Sequence, residues 1–161
     1  MHIPVHLTTL NVNCSNVPTS PCPVHYHTAE EEIELGPACW LWDYLRRSGM
    51  SGYFLALSGG SDSAAVACIV FSMCRLVYDS CQKGDPIVLA DLRRILCKDD
   101  KYVPASPQEI AGEIFYTCYM GTTNSSEQTN QLSCGLASQV SGRRRTDFLK
   151  GQWTENERRE I

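Results

Sequence analysis

Residues 57–63 read Leu-Ser-Gly-Gly-Ser-Asp-Ser, after the apolar run Tyr53-Phe54-Leu55-Ala56-Leu57 and before Ala64-Ala65-Val66-Ala67-Cys68-Ile69-Val70. Their types and order are those of a phosphate-binding turn between a strand and a helix. Gly59 and Gly60 let the backbone approach oxygen atoms closely, and the following helix aims free N–H groups and its positive dipole end at an anion. The turn lacks the lysine of G-x-x-x-x-G-K-[ST], so its spacing does not offer the β/γ-phosphate grip of a kinase or GTPase. Serine hydroxyls and a nest of N–H groups can instead cradle a pyrophosphate. Asp62 would repel a bare polyanion. A carboxylate there suits a Mg2+ ion shared with phosphate oxygens, because Mg2+ is commonly held by one or two carboxylates plus substrate phosphates. The alternative for the same residues is a plain strand-to-helix turn with Asp62 as N-cap.

The turn resembles the pyrophosphate loop of the N-type ATP pyrophosphatases, which cleave ATP into AMP and pyrophosphate to activate a carboxylate, carbonyl or similar group. Two flanking segments narrow the resemblance. One runs Glu30-Glu31-Glu32-Ile33-Glu34-Leu35-Gly36-Pro37-Ala38-Cys39-Trp40-Leu41-Trp42-Asp43-Tyr44-Leu45-Arg46-Arg47. The other runs Thr117-Cys118-Tyr119-Met120-Gly121-Thr122-Thr123-Asn124-Ser125-Ser126. Together, over residues 26–140, they resemble the synthetase domain of the eukaryotic glutamine-dependent NAD+ synthetases. GMP synthetases, asparagine synthetases and tRNA thiolation enzymes share the loop but not these flanks. Another ATP pyrophosphatase of that kind, or a non-catalytic partner of a full-length enzyme docking through residues 28–47, are the competing readings.

The resemblance implies an α/β fold: a partial parallel-sheet, Rossmann-like ATP-pyrophosphatase (adenine nucleotide alpha hydrolase-like) architecture. It also implies a two-step ligation. ATP adenylates the nicotinate carboxylate of deamido-NAD+ and releases pyrophosphate; ammonia derived from glutamine then displaces AMP and leaves the amide of NAD+. ATP and Mg2+ are the implied cofactors, and deamido-NAD+ and ammonia or glutamine the implied substrates. Carried over by motif, Ser58, Gly59, Gly60, Ser61, Asp62 and Ser63 would bind the ATP pyrophosphate, with Ala56 and Leu57 leading the strand into the site. Ser58 occupies the serine usually assigned to the active site, and Asp62 the metal-facing carboxylate. Asp62→Ala is expected to abolish Mg2+-dependent ATP affinity. The family homo-oligomerises, and a cytoplasmic location is the default expectation for this sequence. Tyr119, Thr122 and Asn124 lie in a region that the family places near its nucleotide sites.

Elements must hold this turn in place. Thr28 with Glu31 fits a capping box that opens a helix, Gly36-Pro37 should interrupt it, and a continuation should run to about Arg47. Trp40, Leu41, Tyr44 and Leu45 form one apolar stripe, read as core packing. Residues 53–57 form a strand whose unbroken apolar character predicts burial on both faces. Helices are predicted over 62–82 and 87–97, with Gly84-Asp85-Pro86 between them. Ser106-Pro107-Gln108-Glu109 starts a short helix that yields to a second strand near Ile114–Tyr119. Ser125 with Gln128 fits a capping box for a last helix over 126–140. The unit is a β-α-β crossover, which binds ligands at the carboxyl ends of its strands.

The chain has 161 residues, 43% hydrophobic and 20% charged, with a net charge of −4, so no overall basic field favours nucleic acid. Arg143-Arg144-Arg145 is read as a solvated run. No apolar run of about 18–20 residues stands out as a membrane span, and the first residues lack a signal-peptide pattern. Of the nine cysteines, Cys39, Cys68, Cys74, Cys97 and Cys118 sit in apolar contexts and are expected as buried free thiols. Cys14 and Cys22 flank a Pro/Ser/Asn-rich stretch and are expected to be exposed. His25-x-His27 lacks metal-ligand partners at useful spacing. Residues 1–27 read as a linker or disordered arm, 28–140 as the N-terminal part of the synthetase domain, and 141–161 as a divergent polar tail. On that reading the fold stops after its second strand, apolar surface is left uncovered, and the chain is an inactive fragment without the ammonia-releasing amidase.

Overall fold

A computed structural model describes residues 20–121 and 125–141. Most of the arm expected over 1–27 and almost all of the tail expected over 141–161 lie outside those residues. So do Cys14, Thr122, Asn124 and the three consecutive arginines.

The chain alternates α1 (Ala29–Ser48), β1 (Tyr53–Ala56), α2 (Ser61–Gln82), α3 (Pro86–Leu96), α4 (Pro107–Ile114), β2 (Phe115–Cys118) and α5 (Glu127–Ser141). β1 and β2 pair in parallel, from Tyr53 opposite Phe115 to Ala56 opposite Cys118. Parallel neighbours need a crossover, and α2, α3 and α4 supply it. The fold is therefore α/β, with two strands and five helices among the described residues.

The helix starts follow their sequence signals. The Thr28 N–H donates to Glu31 Oε2 at 2.9 Å, and the Glu31 N–H returns to Thr28 Oγ1 at 3.3 Å. Asp85 caps α3 through the N–H groups of Ile87 and Val88. Ser106 caps α4 through Glu109. α5 is capped one residue later than expected: Ser126, not Ser125, accepts the Thr129 N–H at 3.2 Å.

Four expectations are corrected. Gly36-Pro37 does not interrupt α1, which is continuous over 20 residues with Pro37 inside it. Proline removes one helical hydrogen bond, and packing of Ala38, Leu41, Trp42 and Leu45 on the core outweighs that loss. Those four positions, at i, i+3, i+4 and i+7, are the true buried stripe. Trp40 and Tyr44 lie beside it, 63% and 55% exposed, with their rings stacked at 5.4 Å. β1 is covered on one face only: Phe54 is 69% exposed, as is apolar surface on Tyr116 of β2 at 44%. A continuous apolar run does not reveal which of its faces the described helices cover. Of the cysteines expected inside, Cys74 and Cys118 are buried but Cys39, Cys68 and Cys97 are exposed, while Cys81 is buried as well. Each exposed thiol sits on the outward side of its helix or at a helix end.

α2 is the central helix, with Ala67, Val70, Met73, Cys74, Val77 and Cys81 buried. It packs against α1, α3, α4, α5 and β1. Its length of 22 residues and mean hydropathy of 1.5 reach those of a membrane span by composition alone, against the expectation from sequence. Here one side of it forms the core. Tyr53 at the start of β1 donates its hydroxyl to the Leu41 carbonyl at 2.6 Å, tying the strand to α1. Arg94 of α3 donates to the Arg46 carbonyl at 2.7 Å near the end of α1.

Burial pushes the Cys74 thiol up from 9.0 to about 12. It also pushes the Tyr53 phenol up from 10.0 to about 12, aided by Cys74 and Tyr44 nearby. The unfolded chain therefore releases these protons first as pH rises. Their contribution to stability is complete below the ordinary thiol value of 9.0 and is lost progressively toward about pH 12. The urea midpoint should hold steady near neutrality and fall on that alkaline limb. Cys74→Ala should flatten its first part; an equally steep fall in that variant would exclude the thiol.

Candidate functional site

β1 ends at Ala56, and the chain turns through Leu57–Gly60 into α2. Leu57 is buried and fully held: its N–H donates to the Cys118 carbonyl at 2.8 Å, and its carbonyl accepts the Ser133 hydroxyl at 2.8 Å. Beyond it the chain comes to the surface. Ser58, Gly60, Ser61 and Asp62 are exposed, and Gly59 and Ser63 are half-buried. The turn thus lies at the carboxyl end of the parallel pair, beside the end of β2.

The turn is organised by its own hydroxyls. Ser63 Oγ donates to the Gly60 carbonyl at 3.1 Å and lies 3.1 Å from Ser58 Oγ. With the Ser63 proton on that carbonyl, Ser58 is the donor of the serine pair. The Gly60 N–H points at Ser58 Oγ, 3.4 Å away. Gly60 is the N-cap of α2 and makes no side-chain cap bond. The expected alternative with Asp62 as N-cap is therefore corrected: Asp62 stands inside the first turn, and among the described residues its carboxylate meets only the neighbouring Ser61 hydroxyl at 3.4 Å. A helix needs acceptors for its first N–H groups, and here none comes from a cap side chain. Among the described residues, no protein acceptor meets the N–H groups of Gly59, Ser61, Asp62 or Ser63.

Gly59 takes φ +83°, and a Cβ built there would lie 2.2 Å from the Thr129 carbonyl oxygen. The first turn of α5 therefore rests on the loop. Thr129 is held in turn by Ser126 and by the Tyr119 hydroxyl, which lies 2.9 Å from Thr129 Oγ1. Thr129 and Ser133 were not legible as site residues in the sequence. Their only signal is spacing, since residues four apart on a helix share a face.

Chemically, the arrangement presents free N–H groups, two linked serine hydroxyls and a helix N-terminus on one exposed turn. Such a set of donors can receive phosphate oxygens. Asp62 adds an open carboxylate of the kind that holds Mg2+ beside phosphates.

A second cluster joins His25, His27 and Glu31, whose ligand atoms lie within 4.8 Å of one another. The structure thus supplies the histidine pair with the partner that spacing alone had not offered. Glu31 Oε2 is taken by the Thr28 N–H and lies 3.5 Å from His27 Nδ1, so the capping box accounts for its position.

No protein-family model matches the chain. The glutamine-dependent NAD(+) synthetase of Saccharomyces cerevisiae is 49% identical over 140 residues, 86% of this chain and 20% of the relative. That of Mus musculus is 53% identical over 112 residues, 70% of this chain and 15% of the relative. That of Arabidopsis thaliana is 48% identical over 138 residues, 86% of this chain and 19% of the relative. The chain spans about a fifth of the length of these curated relatives, and on this similarity it belongs to the glutamine-dependent NAD(+) synthetase family.

Proposed function

We propose that this chain carries the ATP-pyrophosphate subsite for the amidation of deamido-NAD+ to NAD+. The observation that carries the reading is the turn Ser58–Ser63, in which the N–H groups of Gly59, Ser61, Asp62 and Ser63 meet no protein acceptor among the described residues, in a chain similar to glutamine-dependent NAD(+) synthetases. In the reaction, a nicotinate carboxylate oxygen attacks the α-phosphorus of ATP. The bond to the β-phosphate oxygen breaks and pyrophosphate leaves. Ammonia, drawn from glutamine elsewhere in such an enzyme, then attacks the carboxyl carbon, AMP leaves with the bonding electrons, and a proton is released to solvent.

The turn's task is to hold the leaving pyrophosphate. The N–H groups of Gly59, Ser61, Asp62 and Ser63 would bind its oxygens, and the Ser58 hydroxyl would turn from Ser63 to the phosphate. The α2 dipole favours the charge that gathers on the departing group. Asp62 would hold a Mg2+ ion, which when bound neutralises pyrophosphate oxygens. Little covalent work falls to the protein: it positions the reacting groups and balances charge. The ATP-pyrophosphatase superfamily and its Rossmann-like fold are the architecture this function implies.

Titration calorimetry of the chain with ATP, with and without Mg2+, tests the reading. The parent chain should bind ATP in a Mg2+-dependent manner, with pyrophosphate competing. Asp62→Ala should lose the Mg2+-dependence while its far-UV circular dichroism stays the same. Equal Mg2+-ATP affinity in the two chains removes Asp62 from the metal role.

A further inference from the structure

We infer that α5 sets the shape of the anion-binding turn, with Ser133 and Thr129 as positioning residues; this rests on the pyrophosphate reading above. The turn's own bonds join Ser58, Gly60 and Ser63 to one another but not to the rest of the fold, and its exposed side has none from a cap. What fixes it from behind is one face of α5. Ser133 is 3% exposed, and its hydroxyl donates to the Leu57 carbonyl across 76 residues of sequence. A hydroxyl buried so deeply requires a partner, and this one takes the last carbonyl before the turn.

That choice matters because a peptide group is planar. The carbonyl of Leu57 and the N–H of Ser58 share one trans plane and point in opposite directions. Drawing the carbonyl toward α5 aims the Ser58 N–H away from it. One helical turn earlier, the Thr129 carbonyl lies where a side chain on Gly59 would be, which keeps that residue a glycine at φ +83°. Thr129 cannot drift, because Ser126 and the Tyr119 hydroxyl hold its side chain at 2.8 and 2.9 Å. α5 thus reads the end of β2 through Tyr119 and the end of β1 through Ser133, and it sets the turn between the two.

A plain structural hydroxyl would contribute stability but leave the folded turn unchanged, and the test separates the two roles. The chain is titrated with pyrophosphate in the presence of Mg2+ at a temperature where each variant is fully folded. Ser133→Ala should weaken binding about tenfold, the scale of one buried polar group left without its partner. Ser133→Thr, which keeps the hydroxyl, should recover most of that loss. Parent-like affinity in folded Ser133→Ala overturns the inference. Should Ser133→Ala not fold, Tyr119→Phe decides: weaker binding supports the inference and unchanged binding overturns it. Should the parent bind no pyrophosphate, the functional reading fails by itself, and the amide resonances of Gly59 and Gly60 decide instead. Displacement of these resonances in a ligand-free variant supports control by α5, and coincident resonances overturn it.

Discussion

Gly59→Ala will cost the protein both stability and anion affinity, and Gly60→Ala, one residue along, will cost it little stability. At Gly59 two penalties coincide. Its φ of +83° is left-handed backbone, which strains an L-residue by about 1–3 kcal/mol. Its Cβ would also lie 2.2 Å from the Thr129 carbonyl oxygen, a backbone atom that cannot rotate aside. Relief requires the turn or α5 to move, at a further ~1–3 kcal/mol. The sum is a large part of the ~5–15 kcal/mol that holds a typical domain together. Gly60 has φ −87°, and the nearest atom to a methyl placed on it would be Ser58 Oγ at 3.5 Å, an ordinary contact. As a glycine N-cap, its replacement by alanine should stay within about 1 kcal/mol. Urea unfolding of the two variants and pyrophosphate titration of their folded forms check this together. Equal midpoints for the two would contradict the packing of α5 on the turn.

The sequence made local signals legible and left long-range ones hidden. Capping boxes and proline positions act within four residues, so the starts of α1 and α4 could be read directly from Thr28 and Ser106, whereas Asp85, read only as part of a break between helices, turns out to cap α3. The second strand emerged from Ile, Phe, Tyr and Thr crowding where a helix had begun. The loop too was legible, because its glycines and serines do their work beside one another. What remained hidden was which side of each element meets the rest. Trp40 and Tyr44 are as apolar as Leu41 and Leu45, and only the placement of α2 and α3 decides that the first two face solvent. Pro37 was weighed by its local cost, while the packing of Ala38 and Leu45 that outweighs it comes from α2. Ser133 gave no signal beyond its spacing from Thr129, since a serine in a helix is ordinary until a carbonyl 76 residues away is brought to it.

This division separates the motif from its setting. A turn rich in glycine can take many shapes, and the bonds among Ser58, Gly60 and Ser63 narrow the choice without tying the turn to the rest of the fold. That tie is made by α5, which follows the second strand and meets the turn at Leu57 and Gly59. The shape of the cradle is therefore linked to the pairing of Ala56 with Cys118 at its base.

The other end of the same strand pair gives a contrasting prediction. Gly52→Ala should destabilise the fold while leaving the cradle intact in molecules that remain folded. A Cβ on Gly52 would lie 2.3 Å from the Ile114 carbonyl oxygen and 2.9 Å from the Ile114 carbonyl carbon. Ile114 is fully buried at the junction where α4 gives way to β2, so neither backbone has room to withdraw. The first strand pair, Tyr53 with Phe115, begins at the next residue and would be wedged open. Overpacking of this kind costs about 1–3 kcal/mol. With only four residue pairs in the sheet among the described residues, the disturbance falls on a large fraction of it. The turn lies about 13 Å further along, at ~3.3 Å per strand residue. The urea midpoint of Gly52→Ala should fall clearly, and pyrophosphate affinity of the folded protein should match the parent. If affinity fell in step with stability, the two ends of the sheet would be one cooperative unit, and the control assigned to α5 would have to be shared with the whole strand pair.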